Sequence, residues 1–255
     1  MVISMKILAI DSSGQTASVA LWEDDLTLAE FSIHAKKTHS QTLLPMLQDV
    51  LEKIELDMEE IDAIAVTSGP GSFTGLRIGS ATAKGLGFAL DKPIIPVPTL
   101  EGLAYNLYGT ECIVCPLMDA RRNQTYTGLF EFAKNRPGEY DMIVIKEQCA
   151  VPVEEILEAC NEQACKQAGR NVVFLGDGIP VFREEIARQL RVPYSFAPAH
   201  MNRQRAAAVA ALAARYYEQG RMQTAAEYAP EYLRLSQAER ERKEKEAADA
   251  GEKTV

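Results

Sequence analysis

Thr67-Ser-Gly-Pro-Gly-Ser-Phe-Thr-Gly-Leu-Arg-Ile-Gly79 joins an apolar run, residues 61–66, to a long segment of helical periodicity. The run reads as a buried strand and the segment as a helix, so the stretch between them is a strand-to-helix turn. Gly69 and Gly71 give that turn backbone freedom, and Pro70 between them fixes one φ angle. Ser72 is placed to cap the helix, with Thr74 and Gly75 in its first turn. Glycine-rich backbone entering a helix is a ready anion site, because unpaired N–H groups point outward there. A Walker A loop is excluded, since no Gly-Lys-Ser/Thr follows. On these residues alone two readings stay open, a tight turn and a phosphate-binding loop.

The helix carries a second signal. Gly75, Gly79, Ala83 and Gly87 recur every four residues. A glycine inside a helix costs roughly 0.5–1 kcal/mol relative to alanine, so a repeated one needs a packing reason. These positions mark a face that a neighbour approaches closely, either within the chain or as a helix of a second protein. Leu76, Ile78, Leu86 and Phe88 spread around the helix, which predicts burial on more than one side.

At 255 residues the chain is long enough for two compact lobes. Its net charge of −9 argues against broad, unaided binding to nucleic acid phosphates, leaving only a local patch such as Arg121, Arg122, Arg203 and Arg205. No apolar run approaches the length of a membrane-spanning helix. The first residues run straight into a strand ending at Asp11, which is not the pattern of a signal peptide, and Met5 is an alternative start. The five cysteines are scattered. Cys112 and Cys115 have the CxxC spacing but fall in a strand-like run that turns them to opposite faces, so zinc is not expected. Reduced thiols in a cytoplasm are the expectation.

In chain order, residues 5–10 read as a strand, Asp11, Ser12, Ser13, Gly14, Gln15 and Thr16 as its turn, and residues 17–22 and 27–34 as two further strands. The turn is an ordinary hairpin or a phosphate-binding one, with Asp11 near a metal-bound phosphate and Ser12, Ser13, Gly14 and Thr16 as donors. A helix opens at His39, with Leu43, Leu47, Leu51 and Ile54 at helical spacing and Pro45 tolerated as a first-turn residue. His34 and His39 have no acidic residue between them and read as capping or solvated side chains rather than a metal pair. A strand over 92–98 and a helix from Thr99 complete a first half. The second half repeats its opening: strand 112–118, an aspartate-led turn 119–123, and a returning strand 124–132. A strand near 142–148, a helix 153–167, a strand 172–176, a helix 181–190, a long helix 202–219 and a short strand or docking segment 229–234 follow. The division predicted is an N-terminal lobe 1–102, a C-terminal lobe 103–235 whose helix 202–219 packs back on the first lobe, and a charged, disordered tail 236–255.

Five segments occur in one order: Ile7-Leu-Ala-Ile-Asp-Ser-Ser13, His39-Ser-x-x-Leu-Leu-Pro45, Ser68-Gly-Pro-Gly-Ser-Phe-Thr-Gly-Leu-Arg-Ile-Gly79, Asp119-Ala-Arg121 and Pro230-x-Tyr-Leu-Arg234. In this combination residues 5 to about 235 resemble the glycoprotease-like TsaB (YeaZ) family of bacterial tRNA threonylcarbamoyladenosine (t6A) biosynthesis proteins. The resemblance implies an α/β protein of the actin/Hsp70/sugar-kinase (ASKHA) fold, with two duplicated α/β lobes around a cleft. It implies a cytoplasmic, non-catalytic subunit that pairs with the catalytic TsaD as a heterodimer and makes a homodimer when alone. The ATPase TsaE acts on the same assembly, and tRNA is reached indirectly through it. TsaD-type proteins carry a His-x-Glu-Gly-His-type metal motif at the segment equivalent to Thr99-Leu-Glu-Gly-Leu103. Thr99 and Leu103 are poor or impossible ligands, so no metal and no catalytic residue is expected. Only Gly176-Asp-Gly178 stands for the second nucleotide segment of such folds, so ATP or ADP with magnesium is expected weakly, if at all, on the loops 11–16 and 69–75. Contact with TsaD is expected through Leu43, Leu47, Gly75, Gly79, Ala83 and Gly87, with Gly79→Leu or Ala83→Trp breaking the pairing and leaving a folded monomer. An ATP-dependent phosphotransferase or ATPase is the alternative. A peptidase is a third reading, with no Gly-x-Ser-x-Gly elbow to support it.

Overall fold

The computed structural model of the chain describes residues 4–35, 38–167 and 169–234. The expected tail 236–255 lies outside the described residues. The first half forms β1 (Lys6–Asp11), β2 (Thr16–Glu23), β3 (Leu26–His34), α1 (His39–Lys53), β4 (Ala63–Gly69), α2 (Phe73–Leu90), β5 (Ile94–Pro98) and α3 (Thr99–Tyr105). The second forms β6 (Ile113–Asp119), β7 (Gln124–Arg136), β8 (Glu139–Pro152), α4 (Val153–Lys166), β9 (Val172–Leu175), α5 (Ile179–Gln189), β10 (Tyr194–Phe196) and α6 (Ala206–Glu218).

The two sheets have one topology. In the first, the order is β3-β2-β1-β4-β5, and in the second it is β8-β7-β6-β9-β10. In each, three antiparallel strands are followed by two parallel ones across a helical crossover. This duplication fits the α/β actin/Hsp70/sugar-kinase architecture that the sequence resemblance implies.

Both faces of each sheet are covered, which explains the near-continuous apolar strands. Leu8 and Ile10 of β1 and Ile64 and Val66 of β4 point into a core under α1 and α2. Ile7, Ala9, Ala63 and Ala65 alternate to the other face, where α6 lies. In the second sheet Ile113, Cys115 and Leu117 face α4 and α5, while Val114 and Met118 face α3. The alternation puts Cys112 and Cys115 on opposite sides of β6, and all five cysteines are free thiols. α6 comes after the second sheet in sequence, yet it packs on the first and touches α3. From α6 the chain returns along α2. Gln223 bridges to Ile94, and the fully buried Tyr228 reaches Ser80 with its hydroxyl at 3.1 Å.

Two local expectations are corrected, the place of Pro45 and the start of the long helix; one strand is added that the sequence reading lacked, and of the two readings of 229–234 the docking segment holds. Pro45 sits beyond the first turn of α1, on its exposed side, where water can reach the carbonyl that its missing N–H leaves free. β10 is a short parallel edge strand paired with β9 that lacks an alternating pattern of its own. The long helix begins at Ala206, because residues 202–205 are spent on contacts between the lobes. Residues 229–234 form no strand and dock irregularly, as described below. No helix among the described residues is long and apolar enough to cross a membrane.

Candidate functional site

β4 delivers the chain to a turn at Gly69, whose φ of +120° few other residues adopt, and a cis Gly69–Pro70 bond leads to the start of α2. The Oγ of Ser72 accepts from the Gly75 N–H at 3.3 Å and caps the helix. The β1–β2 turn clasps this loop. The Ser72 N–H donates to the Ser13 carbonyl at 2.7 Å, and the Ser12 hydroxyl donates to the Gly75 carbonyl at 2.8 Å. The two stretches proposed as phosphate loops are therefore one constellation.

Within it the predicted residues divide. Ser13, Gly14, Gly71, Ser72 and Thr74 line a cleft of about 790 Å³ between the lobes. Asp11, Ser12, Thr16, Gly69 and Gly75 do not. Asp11 is buried, and its Oδ1 accepts from the Ser13 N–H at 2.9 Å, the Ser13 hydroxyl at 2.7 Å and the Thr67 hydroxyl at 3.2 Å. Burial pushes its carboxyl above the ordinary value, against those hydrogen bonds and the nearby His39. The expectation of Asp11 beside a metal-bound phosphate is thus corrected. One of its oxygens, Oδ1, is taken up in pinning the turn, and the buried side chain does not line the cleft.

The histidines serve the same turn. His34 Nδ1 lies 3.1 Å from the Thr16 hydroxyl, and His39 Nε2 lies 2.8 Å from the Gly14 carbonyl. Neither is set against a serine. Among the described residues no group of three or more His, Cys, Asp or Glu side chains could hold a metal ion. At the segment compared with the metal motif, Thr99 and Leu103 are buried in packing and Glu101 accepts from the Tyr216 hydroxyl. Burial raises the Glu101 carboxyl, opposed by that hydrogen bond and by Arg221, which stacks 3.5 Å over the Tyr216 ring.

The opposite wall of the cleft comes from the second lobe. Asp119 ends β6, as Asp11 ends β1, and accepts from the Arg121 N–H at 2.7 Å. Asp177 accepts from the Asp119 N–H at 3.2 Å, and burial raises its carboxyl. The strap 229–234 closes one side. The Glu231 N–H donates to the Ser68 carbonyl at 2.7 Å, Tyr232 stacks on Phe73 at 4.8 Å, and Arg234 donates to the Ala120 carbonyl at 2.6 Å. Asp177 and the strap were not among the predicted site residues, although Gly176-Asp-Gly178 and the Pro-x-Tyr-Leu-Arg pattern had marked both regions. Arg77, Arg121 and the capped start of α2 give the cleft donors for an anion.

The expected partner residues are corrected as well. Leu43 and Leu47 are buried in the core under α1. A Cβ at Gly75 would collide with the Ser12 carbonyl oxygen, and one at Gly79 with the Ser12 hydroxyl. Gly87 is packed against Ala225 and the Lys92 carbonyl, and Ala83 is fully buried. The close neighbour of the small-residue face is the chain itself. The outward face is different: Leu44 and Phe88 are 57% and 62% exposed, and Gly85 has nothing within 4 Å of where its side chain would begin.

Known proteins resemble this chain in sequence and in overall fold. A family model described as "TsaD: tRNA N6-adenosine threonylcarbamoyltransferase" matches residues 32–242. The tRNA threonylcarbamoyladenosine biosynthesis protein TsaB of Bacillus subtilis is 34% identical over 238 residues, 92% of this chain and 96% of that protein. Its Escherichia coli namesake is 38% identical over 133 residues, 51% of this chain and 57% of that protein. The solved structure of YeaZ from Pseudomonas aeruginosa superposes with a TM-score of 0.74 at 28% identity, covering 90% of this chain and all of that one. With this agreement along nearly its whole length, the chain belongs to the TsaB family of tRNA threonylcarbamoyladenosine biosynthesis proteins, within the wider family that the TsaD model describes.

Proposed function

We propose that the chain is a non-catalytic subunit of a cytoplasmic assembly that makes t6A on tRNA, acting as the binding and activating partner of TsaD. TsaE joins the same assembly, and tRNA is engaged through the complex. The observation that carries this reading is that α1 and α2 each leave apolar surface outside the core, Leu44 on α1 and Phe88 with the open Gly85 on α2, which internal packing does not explain. Large exposed apolar side chains around a helical glycine suit the close approach of helices from a second chain. Support for a non-catalytic role is the internal use of Asp11 and Glu101: one oxygen of each accepts from the chain's own groups, and neither residue lines the cleft.

Size-exclusion chromatography with light scattering tests the partnership. Alone, the chain should elute as a homodimer, and with TsaD from the same organism as a mixed pair. Leu44→Arg together with Phe88→Glu should give a folded monomer in both settings. Association that ignores this double variant would remove the proposal.

The cleft favours a second reading, an ATPase or phosphotransferase, because the start of α2 and Arg77 and Arg121 face it. Calorimetry with Mg-ATP on the isolated chain separates the two. Tight binding with turnover would favour the enzyme, and no heat would favour the subunit.

A further inference from the structure

α6 turns one face to the first sheet and the other to a groove between the lobes. That groove lies on the opposite side of the first sheet from α1 and α2, since the two helical layers cover different sheet faces. Its volume is about 1250 Å³, beyond the roughly 300–1,000 Å³ of pockets for drug-sized ligands. Between Arg205 and Arg215 its floor carries only alanines, Ala207, Ala208, Ala211 and Ala214. Such a floor lets another backbone come close. Tyr105 and Tyr108, with ring centroids 5.1 Å apart, stand in the wall.

The charge around the groove is one-sided. Asp24, Asp25, Asp62, Glu139 and Glu218 line it. Its two cations are already engaged, Arg205 Nε with Glu30 at 3.1 Å and Arg215 with Asp141 at 3.3 Å. Asp25, Glu139 and Glu218 have no ion-pair partner among the described residues. This field repels nucleic acid and attracts a cationic surface.

We propose that this groove is a second docking surface, and that its occupant is a lysine- or arginine-rich amphipathic helix of a partner protein. The apolar edge of such a helix would lie on the alanine floor, and its cations would meet the acidic rim. The proposal goes beyond the pairing through α1 and α2 and uses none of the same residues. It makes the chain a two-sided adaptor.

The test uses a fluorescent leucine/lysine amphipathic peptide of about 15 residues, read by anisotropy on the full chain. Ala208→Trp fills the floor, and Glu139→Lys with Glu218→Lys reverses the rim. Glu162→Lys with Glu184→Lys makes the same change of charge on the exposed surfaces of α4 and α5. Ala208 is half-buried, Glu139 half-buried and Glu218 exposed, and thermal melts verify that each variant folds. The expected result is that the floor variant and the rim variant each weaken binding about tenfold or more, while the remote pair leaves it unchanged. Salt should weaken the wild-type interaction. Three results would overturn the proposal: no binding to the wild type, equal loss in the rim and remote variants, or binding indifferent to Ala208→Trp. Spermidine that displaces the peptide while Ala208→Trp has no effect would reassign the groove to a small organic cation.

Discussion

At the scale of single residues, the decisive contacts are those between the β1–β2 turn and the first two turns of α2. A Cβ at Gly75 meets backbone, which cannot swing aside, so Gly75→Ala is expected to destabilise the monomer by about 1–3 kcal/mol or more. Gly79→Leu should unfold it outright rather than merely prevent pairing. Denaturant titration monitored by circular dichroism checks both, and a Gly75→Ala protein with wild-type stability would show that the turn can retreat. Glu101 makes a separate prediction. Its folded carboxyl holds a proton to higher pH than the unfolded one, so its burial costs stability as pH rises from the ordinary carboxylate value through the raised one. Glu101→Gln removes that titration and keeps an oxygen for Tyr216. Its stability relative to wild type should therefore improve across that window and level off above it. Urea midpoints measured from about pH 4 to 8 give the answer, and a difference that stays flat or falls would count against the assignment. Tyr216→Phe should cost roughly 1–3 kcal/mol, because the buried Glu101 side chain loses its hydrogen-bond partner.

At the scale of the element, α2 presents two faces with different explanations. The inner glycines are filled from within the fold, whereas Gly85 opens on nothing. Gly85→Ala should then stabilise the isolated monomer by about 0.5–1 kcal/mol, the helix-propensity difference. Gly85→Trp should leave the monomer folded and abolish pairing in light scattering. Pairing that survives the tryptophan would move the interface off this surface. The four-residue recurrence of Gly75, Gly79, Ala83 and Gly87 was legible in the sequence as a close-packed face. The identity of the neighbour was not, because spacing along one helix is silent about what folds against it. Here the neighbour is the Ser12 turn, more than sixty residues earlier in the chain. The same holds for the candidate site. Glycine, proline and a capping serine marked the loop at 69–75, since each has a local conformational reason. The inward turn of Asp11, the contribution of Asp177 and the crossing of the cleft by 229–234 depend on tertiary contacts that no local pattern encodes.

At the scale of the whole molecule, the two lobes are distinct sheets without being independent folding units. Strand alternation and the repeated strand–aspartate–turn motif made the duplication readable, because both lobes solve the same burial problem with the same strand order. α6 breaks the symmetry. It lies beyond the second sheet in sequence and supplies Val209, Ala210, Leu212 and Ala213 to the core of the first. Without it, Ile7, Ala9, Ala63, Ala65, Ile95 and Val97 would leave one face of that sheet in water. Parallel strands are seldom stable with a bare face, and the loss of several buried side chains at about 1.5–3 kcal/mol each exceeds the stability of a typical domain. A fragment of residues 1–110 is therefore expected to lack a cooperative urea transition. Adding a second fragment of residues 200–234 should restore one, because it returns α6, Tyr228 that bonds Ser80, and the strap that bonds Ser68. A sigmoidal transition for the first fragment alone, at the midpoint of the full chain, would show that the N-terminal lobe closes its own core. The connectivity argues otherwise: the end of the chain completes the sheet with which the chain begins, so the first lobe cannot finish folding until α6 and the strap have joined it.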